Sequence, residues 1–358
     1  SNPTVRNGFV RIGTQVDQVY DKLEADQQAL QSGTRHVIGQ STGLMLLDHL
    51  LGGDVGGELT TIAARPGGSK STFVLCSAQA GARQDGEQAI ISLEMDNHMQ
   101  IKRILSNMAS ISNDKLKQAK ITEADWARLH QIRDQVAGLP ISLDFSPGLD
   151  VVTLEAKCRR AIKEFGVKRI FIDYLQLMDK PKTKQERAAF DNQNMKIQAI
   201  TMRLKQLAGE WDVPIILLSQ MSREIEKRTG KRMPQLSDLR DSGSIEQDSN
   251  NVIFIESPSK IQESQDGYCA KYYPAIYEHE IRRLSFAIVA KQRSGATGMI
   301  PFWNDRQFMR FSDIKDLTMY KRLGLMEIFD NEPELMERLG WKSLGVQQEL
   351  WTSTDAHN

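Results

Sequence analysis

From residue 38 onward the sequence alternates short apolar runs with longer stretches in which apolar residues return every three or four positions. The runs at 59–63, 88–93, 140–144, 168–173, 213–218, 251–255 and 284–290 are too short for helices. They read as strands. Between them, 195–211 places Ile197, Ile200, Leu204, Leu207 and Trp211 on one helical face, and Leu154, Cys158, Ile162 and Phe165 form a second stripe. Strands alternating with helices predict an α/β fold with a mainly parallel central sheet flanked by helices, and ligands at the carboxyl ends of the strands. An amphipathic helix over 14–31 comes first, with Thr14 as N-cap, Val16, Val19, Tyr20 and Leu23 on one face, and Gly33 as its stop. A lone helix of this length is marginal in water, so the stripe needs a surface, on its own domain or on a neighbouring subunit. The polar stretches 179–193 and 256–275 read as loops. After Phe311 the pattern changes to short helices carrying Leu323, Leu325, Met326, Ile328 and Phe329, and then Leu335, Met336, Leu339 and Trp341. The chain therefore divides into an arm with a helix (1–35), an α/β domain (36–311) and a helical extension (312–358).

Candidate chemistry gathers where strands end. The stretch Leu59–Thr72, LTTIAARPGGSKST, runs from a strand into a glycine-bearing turn and then into a helix. Such a loop presents backbone N–H groups to phosphates, a lysine to the β/γ oxygens and a hydroxyl to Mg²⁺, and the following helix dipole favours anions. The nucleotide-binding candidates are Arg65, Pro66, Gly67, Gly68, Ser69, Lys70, Ser71 and Thr72, with Ser71 also a metal ligand. The bland alternative is a Lys-Ser pair at an ordinary strand-to-helix turn. Ala64 and Ser69 stand where the usual pattern has glycine. Three further strands end in polar groups. KRIFID ends in Asp173, a carboxylate placed to hold Mg²⁺ through its water shell. IISLE ends in Glu94, suited to orienting or deprotonating the attacking water; the alternative is an acid at a helix N-terminus, stabilised by the helix dipole. IILLSQ ends in Gln220, suited to sensing a γ-phosphate.

After Gln220 the cations Arg223, Lys227, Arg228, Lys231, Arg232 and Arg240 outnumber the acids. A loop of this kind can track a phosphate backbone; without interleaved aromatics, base stacking is not expected. Lys291 and Arg293 close the last core strand in AKQRSGATG, placed to reach a phosphate, of this subunit or a neighbour's. Composition changes this picture little. Lys+Arg and Asp+Glu both number 46 in 358 residues, so no global field draws the chain to nucleic acid and any such binding is local. Three widely spaced cysteines without a CxxC argue for a reducing compartment and against structural zinc. No apolar run approaches the ~20 residues of a membrane span, and the N-terminus lacks a signal-peptide core, so the expectation is a cytoplasmic protein with no membrane partner.

In order along the chain, STGLMLLDHLLGG, IAARP, SLEM, TEADW, AKCRR, IDYLQLM, LSQMSREIEKR, SDLRDSGSIEQD and AKQRSGATG resemble the RecA-like motor domain of DnaB-type replicative helicases across roughly residues 36–311. The resemblance implies a RecA-like P-loop NTPase core, ATP and Mg²⁺ as cofactors, and a homohexameric ring that translocates on single-stranded DNA and unwinds duplex by strand exclusion, in the cytoplasm of a bacterial or phage-infected bacterial cell. It implies that Lys70 and Ser71 bind phosphates and Mg²⁺, Asp173 completes the metal site, Glu94 activates water and Gln220 senses the γ-phosphate. Lys291 and Arg293 match the cations that such a ring supplies across the subunit interface. Arg240, Asp241 and Gly243 match the loop that holds the DNA backbone in the channel, with 223–233, including Arg223 and Arg228, as the second channel loop. Residues 14–31 match the linker helix that docks on the adjacent subunit.

Two features depart from the family pattern. The N-terminal collar domain, which meets primase, is expected to be absent or reduced to the first dozen residues, and contacts with primase or a helicase loader are expected only so far as they do not depend on it. Ser69 puts a Cβ and hydroxyl where the family has glycine; if that position needs φ > 0 the strain is of order 1–3 kcal/mol unless Gly67 and Gly68 absorb it. The alternative function is a helicase-like protein that binds nucleotide and blocks another replicative ring without productive hydrolysis. A recombinase-type or clock-type ATPase shares the core but not the DLRDSGSIEQD and AKQRSGATG segments.

Overall fold

The computed structural model describes residues 9–84, 86–173, 193–228, 230, 233–239, 242–263 and 267–329. The runs of apolar residues pair into a nine-stranded sheet. Its strands are β1 (Leu59–Ala64), β2 (Gln88–Ser92), β3 (Ile141–Phe145), β4 (Arg169–Asp173), β5 (Ile215–Gln220), β6 (Asn251–Glu256), β7 (Leu284–Gln292), β8 (Gly298–Asp305) and β9 (Arg310–Asp313). Their order across the sheet is β3-β2-β4-β5-β1-β6-β7-β8-β9. The first six in that row run parallel, and β7, β8 and β9 add an antiparallel margin. The seven expected strands are β1 to β7; β8 and β9 are additional.

Period-two alternation sends successive side chains to opposite faces. Phe171 of β4 joins Phe73, Val74 and Ala78 of the helix Lys70–Gln84 on one face. Its neighbours Ile170 and Ile172 join Ile197, Ile200, Leu204 and Leu207 of the helix Gln193–Trp211 on the other, with Leu154 and Cys158 of the helix Val151–Phe165 beside them. Burying each such side chain contributes about 2 kcal/mol. Arg169, fully buried at the start of β4, pairs with Asp54 at 2.7 Å and donates to the carbonyls of Ser41 and Ser77. It thereby ties the segment before β1 to the sheet.

Two local expectations are corrected. The first helix starts at Val16 with Gln15 at its N-cap and no side-chain cap, while Thr14 sits in a preceding 3₁₀ turn and donates to Arg11 O at 2.7 Å. Within 256–275 the chain forms short helices at Pro258–Gln262 and Tyr268–Tyr272 rather than open loop. After the sheet, the helix Leu317–Leu323 and a 3₁₀ turn at Met326–Phe329 match the expected short helices; Leu335, Met336, Leu339 and Trp341 lie outside the described residues, as does most of 179–193. Gly33 stops the first helix as expected, with φ of 70°. No residue of that helix is buried: Val19, Tyr20 and Leu23 are 54%, 65% and 60% exposed.

Candidate functional site

β1 is buried along its whole length and ends at Ala64. The chain then turns through Arg65–Ser69 and enters the helix Lys70–Gln84, whose unsatisfied N–H groups and positive dipole end face the turn. The turn is tight: Gly68 N donates to Arg65 O at 2.8 Å, and a Cβ at Gly68 would lie 2.8 Å from that same oxygen. Gly67 takes φ of 68°, and so does Ser69. The serine itself therefore adopts the left-handed conformation, a cost of about 1–2 kcal/mol for a residue with a Cβ; Gly67 and Gly68 do not absorb it.

The loop forms the floor of a cavity of about 450 Å³ lined by Pro66, Gly67, Gly68, Ser69, Lys70, Ser71 and Thr72 together with Glu94, Asp173 and Gln220. The sheet explains the meeting. β5 lies beside β1 and ends level with it, Gln220 opposite Ala64; β4, beyond β5, ends about two residues sooner, and Leu93 N donates to Asp173 O at 2.6 Å, which sets Glu94 beside the end of β4. Asp173 Oδ2 accepts from Ser71 Oγ at 2.9 Å. Burial raises the Asp173 carboxyl above the ordinary range, against the pull of the Ser71 hydrogen bond and the Lys70 charge. Burial likewise lowers the Lys70 ammonium, opposed by Asp173 and Glu94. Glu94 is exposed, and the cap of the following helix, Asn97–Ala109, is Asp96, which accepts from Met99 N at 2.9 Å. Asp96, and not Glu94, therefore caps that helix.

One expected contact lies elsewhere. Arg65 turns its guanidinium away from the cavity to pair with Glu256 at 3.1 Å, both side chains being buried. Two cations that the sequence reading passed over line the cavity instead, Arg103 and Arg306. The Nε of each is buried and makes no hydrogen bond within the protein, and burial lowers both guanidinium pKa values. Buried donors without partners at the wall of a phosphate-shaped loop fit an anionic ligand. A sequence signal for Arg103 existed. It lies one turn from the buried Gln100 and beside the buried Ile104, so it is a cation on the inward face of its helix. Arg306 had none, because it follows a strand the sequence did not reveal.

The basic segment is less fully visible. Arg240 and Asp241 and the side chain of Arg223 lie outside the described residues. Arg228 makes a two-pronged pair with the buried Asp238, at 2.9 and 2.5 Å. Gly243 lies in the helix Ser242–Asp248 with open space around its Cα. Lys291 and Arg293 occupy the opposite rim of the sheet from the phosphate loop. β7 runs antiparallel to β6, so Gln292 pairs with Asn251, and Arg293 N donates to Asn250 O, whose own N–H reaches Leu59 at the start of β1. The phosphate loop begins five residues further along that strand, roughly 16 Å away. Both cations reach the C-terminal carbonyls of Ser242–Asp248: Lys291 donates to Glu246 O, and Arg293 to Gln247 O at 2.6 Å. Burial and the neighbouring Arg293 lower the Lys291 ammonium.

A second cavity, of about 680 Å³, is apolar. It opens between the helices Asn97–Ala109, Asn113–Lys117 and Glu123–Ala137 and is lined chiefly by Ile101, Leu105, Trp126, Leu129, Val136 and Leu139, with Lys102, His130 and Arg133 at its edge. Among the described residues no helix is long and apolar enough to cross a membrane, and no three His, Cys, Asp or Glu side chains cluster as a metal site.

Residues 39–313 match the family described as the DnaB-like helicase C-terminal domain. The replicative DNA helicase DnaC of Bacillus subtilis is 33% identical over 310 residues, covering 86% of this chain and 63% of the relative. The replicative DNA helicase DnaB of Geobacillus stearothermophilus is 34% identical over 299 residues, covering 83% of this chain and 61% of the relative. The chain thus spans a little over three fifths of these relatives. Among solved structures, one described as an ATPase domain superposes with a TM-score of 0.71 at 29% identity, covering 86% of this chain and all of that one. A DnaB-like replicative helicase described together with its interactions with primase superposes with a TM-score of 0.68 at 28% identity, covering 86% of this chain and 68% of that one.

Proposed function

The chain belongs to the DnaB-like helicase C-terminal domain family, and from that premise we propose that it is an ATP-driven replicative DNA helicase motor, working as a ring on single-stranded DNA. The observation that carries this reading is the convergence of Lys70, Ser71, Glu94, Asp173 and Gln220 on one cavity at the carboxyl rim of the parallel sheet. Loop amides and Lys70 bind the nucleotide phosphates, and the orphaned Arg103 and Arg306 donors add positive charge to the wall. Glu94 orients and deprotonates the attacking water; Gln220, at the end of β5, registers the γ-phosphate. The Ser71 hydroxyl and the Asp173 carboxylate are hard oxygen donors 2.9 Å apart, a set that suits Mg²⁺. When bound there, the ion neutralises charge on the phosphates.

Arg293 and Lys291 lie too far from their own phosphate loop to act on it, and their position supports a role at a neighbour's site, with Arg293 as the finger that stabilises transition-state charge. The first helix supplies the means of assembly. Its exposed stripe Val16, Val19, Tyr20 and Leu23 needs a groove, and the apolar cavity between the helices Asn97–Ala109 and Glu123–Ala137 offers one on a second copy. Charges agree, because Asp17, Asp21 and Glu24 flank the stripe while Lys102 and Arg133 edge the groove. For the DNA strand we propose Arg223, Arg240, Asp241 and Gly243; Arg228, held by Asp238, shapes the loop. A primase or a helicase loader is a further proposed partner, by likeness to the neighbour described with primase. The blocking alternative is not favoured, since it has no use for Glu94 and Gln220 gathered at the loop.

Measuring ATP hydrolysis with and without single-stranded DNA, beside native mass, tests this. The expected outcome is DNA-stimulated turnover by a multimer; hydrolysis indifferent to DNA by a monomer would overturn it.

A further inference from the structure

The strained Ser69 is the end of a buried chain of hydrogen bonds that no feature of the nucleotide site requires. Asn304, in the middle of the antiparallel margin and 1% exposed, donates through Nδ2 to Ser69 Oγ at 3.2 Å and to Ser285 Oγ at 3.2 Å. Ser285 Oγ meets Ser257 Oγ at 2.6 Å, and Ser257 N donates to Glu256 Oε1 at 2.9 Å. Glu256 in turn holds Arg65. Arg65 and Ser69 are the two ends of the phosphate loop, so one polar chain running through β6, β7 and β8 grips the loop where it leaves β1 and where it enters its helix.

Donor and acceptor counting gives this grip a direction. An amide NH₂ has two hydrogens, and in its orientation here Asn304 gives one to each serine, its own buried Oδ1 being left without a partner. Because Ser69 Oγ accepts from Asn304, its own hydrogen is left to donate, and Ser69 lines the cavity where phosphates sit. A phosphate oxygen only accepts. We infer that Ser69 is a phosphate ligand through its hydroxyl and that Asn304 is its positioning residue, holding the Ser69 side chain so that its O–H faces the nucleotide. The serine is then retained in a left-handed conformation because the hydroxyl does something a glycine cannot. This inference rests on the cavity being the nucleotide site.

The test is a cycle of variants, Asn304→Ala, Ser69→Gly and both together, in the full chain, reading ATP affinity by direct titration and KM against kcat. Asn304→Ala alone should weaken ATP binding about three- to tenfold, the range of one net hydrogen bond. KM should rise with kcat little changed, since the contact is made equally in ground and transition states. In the Ser69→Gly background the same Asn304 change should do nothing. Ser69→Ala, which keeps the Cβ and the strain but lacks the hydroxyl, should bind ATP as weakly as Asn304→Ala. Equal losses from Asn304→Ala in both backgrounds, or no loss in the first, would overturn the inference, as would unimpaired binding by Ser69→Ala. Thermal melting of each variant without nucleotide reports folding, and Lys70→Ala serves as control. If Lys70→Ala binds ATP as well as the parent, the cavity assignment itself is wrong; if it does not bind while the cycle shows no coupling, only the role of Asn304 and Ser69 falls.

Discussion

Lys70 and Glu94 line the same cavity, and the roles proposed for them are separable, because one is to meet phosphates already present in the ground state and the other to act on water only as the bond breaks. Lys70→Ala should abolish ATP binding with the fold intact. Glu94→Gln should leave binding within about twofold of the parent and cut turnover by roughly 10²–10⁴, the worth of a positioned general base. Equilibrium binding beside single-turnover hydrolysis checks both, and parental hydrolysis by Glu94→Gln would remove Glu94 as the water-activating group. These residues were legible because each follows an apolar run, and a strand end is where a parallel sheet presents its side chains. Arg65 was legible as a member of the loop but not in its direction, since the carboxylate it pairs with, Glu256, lies 191 residues further along the chain. Ser69 was legible as an anomaly. Its partner was not, because Asn304 follows an apolar stretch broken by Pro301 and reads as turn.

Elements were recovered where their pattern is strong and local. The seven central strands are continuous apolar runs, and their boundaries were read within two residues at most ends. β8 escaped because GMIPFWND carries a proline in its middle, which argues against an internal strand. The proline is tolerated because Pro301, opposite Phe286 of β7, has no strand on its other side: the pairing of β8 with β9 begins only at Phe302. The first helix shows the reverse case, an element plain in sequence that buries no residue against the described residues of its own chain. Tyr20→Asp with Leu23→Asp touches no buried position and should leave the melting temperature nearly unchanged while dissociating the assembly. Trp126→Asp, on the rim of the proposed groove and 50% exposed, should do the same from the other side. Native mass and thermal melting decide it; an undiminished multimer in both variants would mean that the stripe and the groove do not meet.

At the scale of the whole molecule the sheet separates the two halves of the proposed catalytic apparatus. The phosphate loop, Glu94 and Asp173 sit on the rim where the parallel strands end, and Lys291 and Arg293 sit where β1 begins, bound to the end of the helix Ser242–Asp248. No side chain spans that distance, so Arg293 acts across an interface or not on nucleotide at all. Arg293→Ala should bind ATP and lose about 10³-fold in turnover if it matches other arginine fingers, and Glu94→Gln should be similarly inactive. Mixed rings distinguish the two possibilities. In some interfaces a subunit with intact Glu94 meets a neighbour with intact Arg293, and such composite sites carry every group needed. Mixing the two variants under conditions of subunit exchange should therefore restore hydrolysis that neither shows alone, in proportion to the fraction of complete interfaces. Residues serving their own subunit cannot complement in this way, because each subunit would keep its own defect. If mass measurements show mixed rings and hydrolysis stays at the level of the separate variants, Arg293 has no role at a neighbour's site and the ring motor loses its link between subunits.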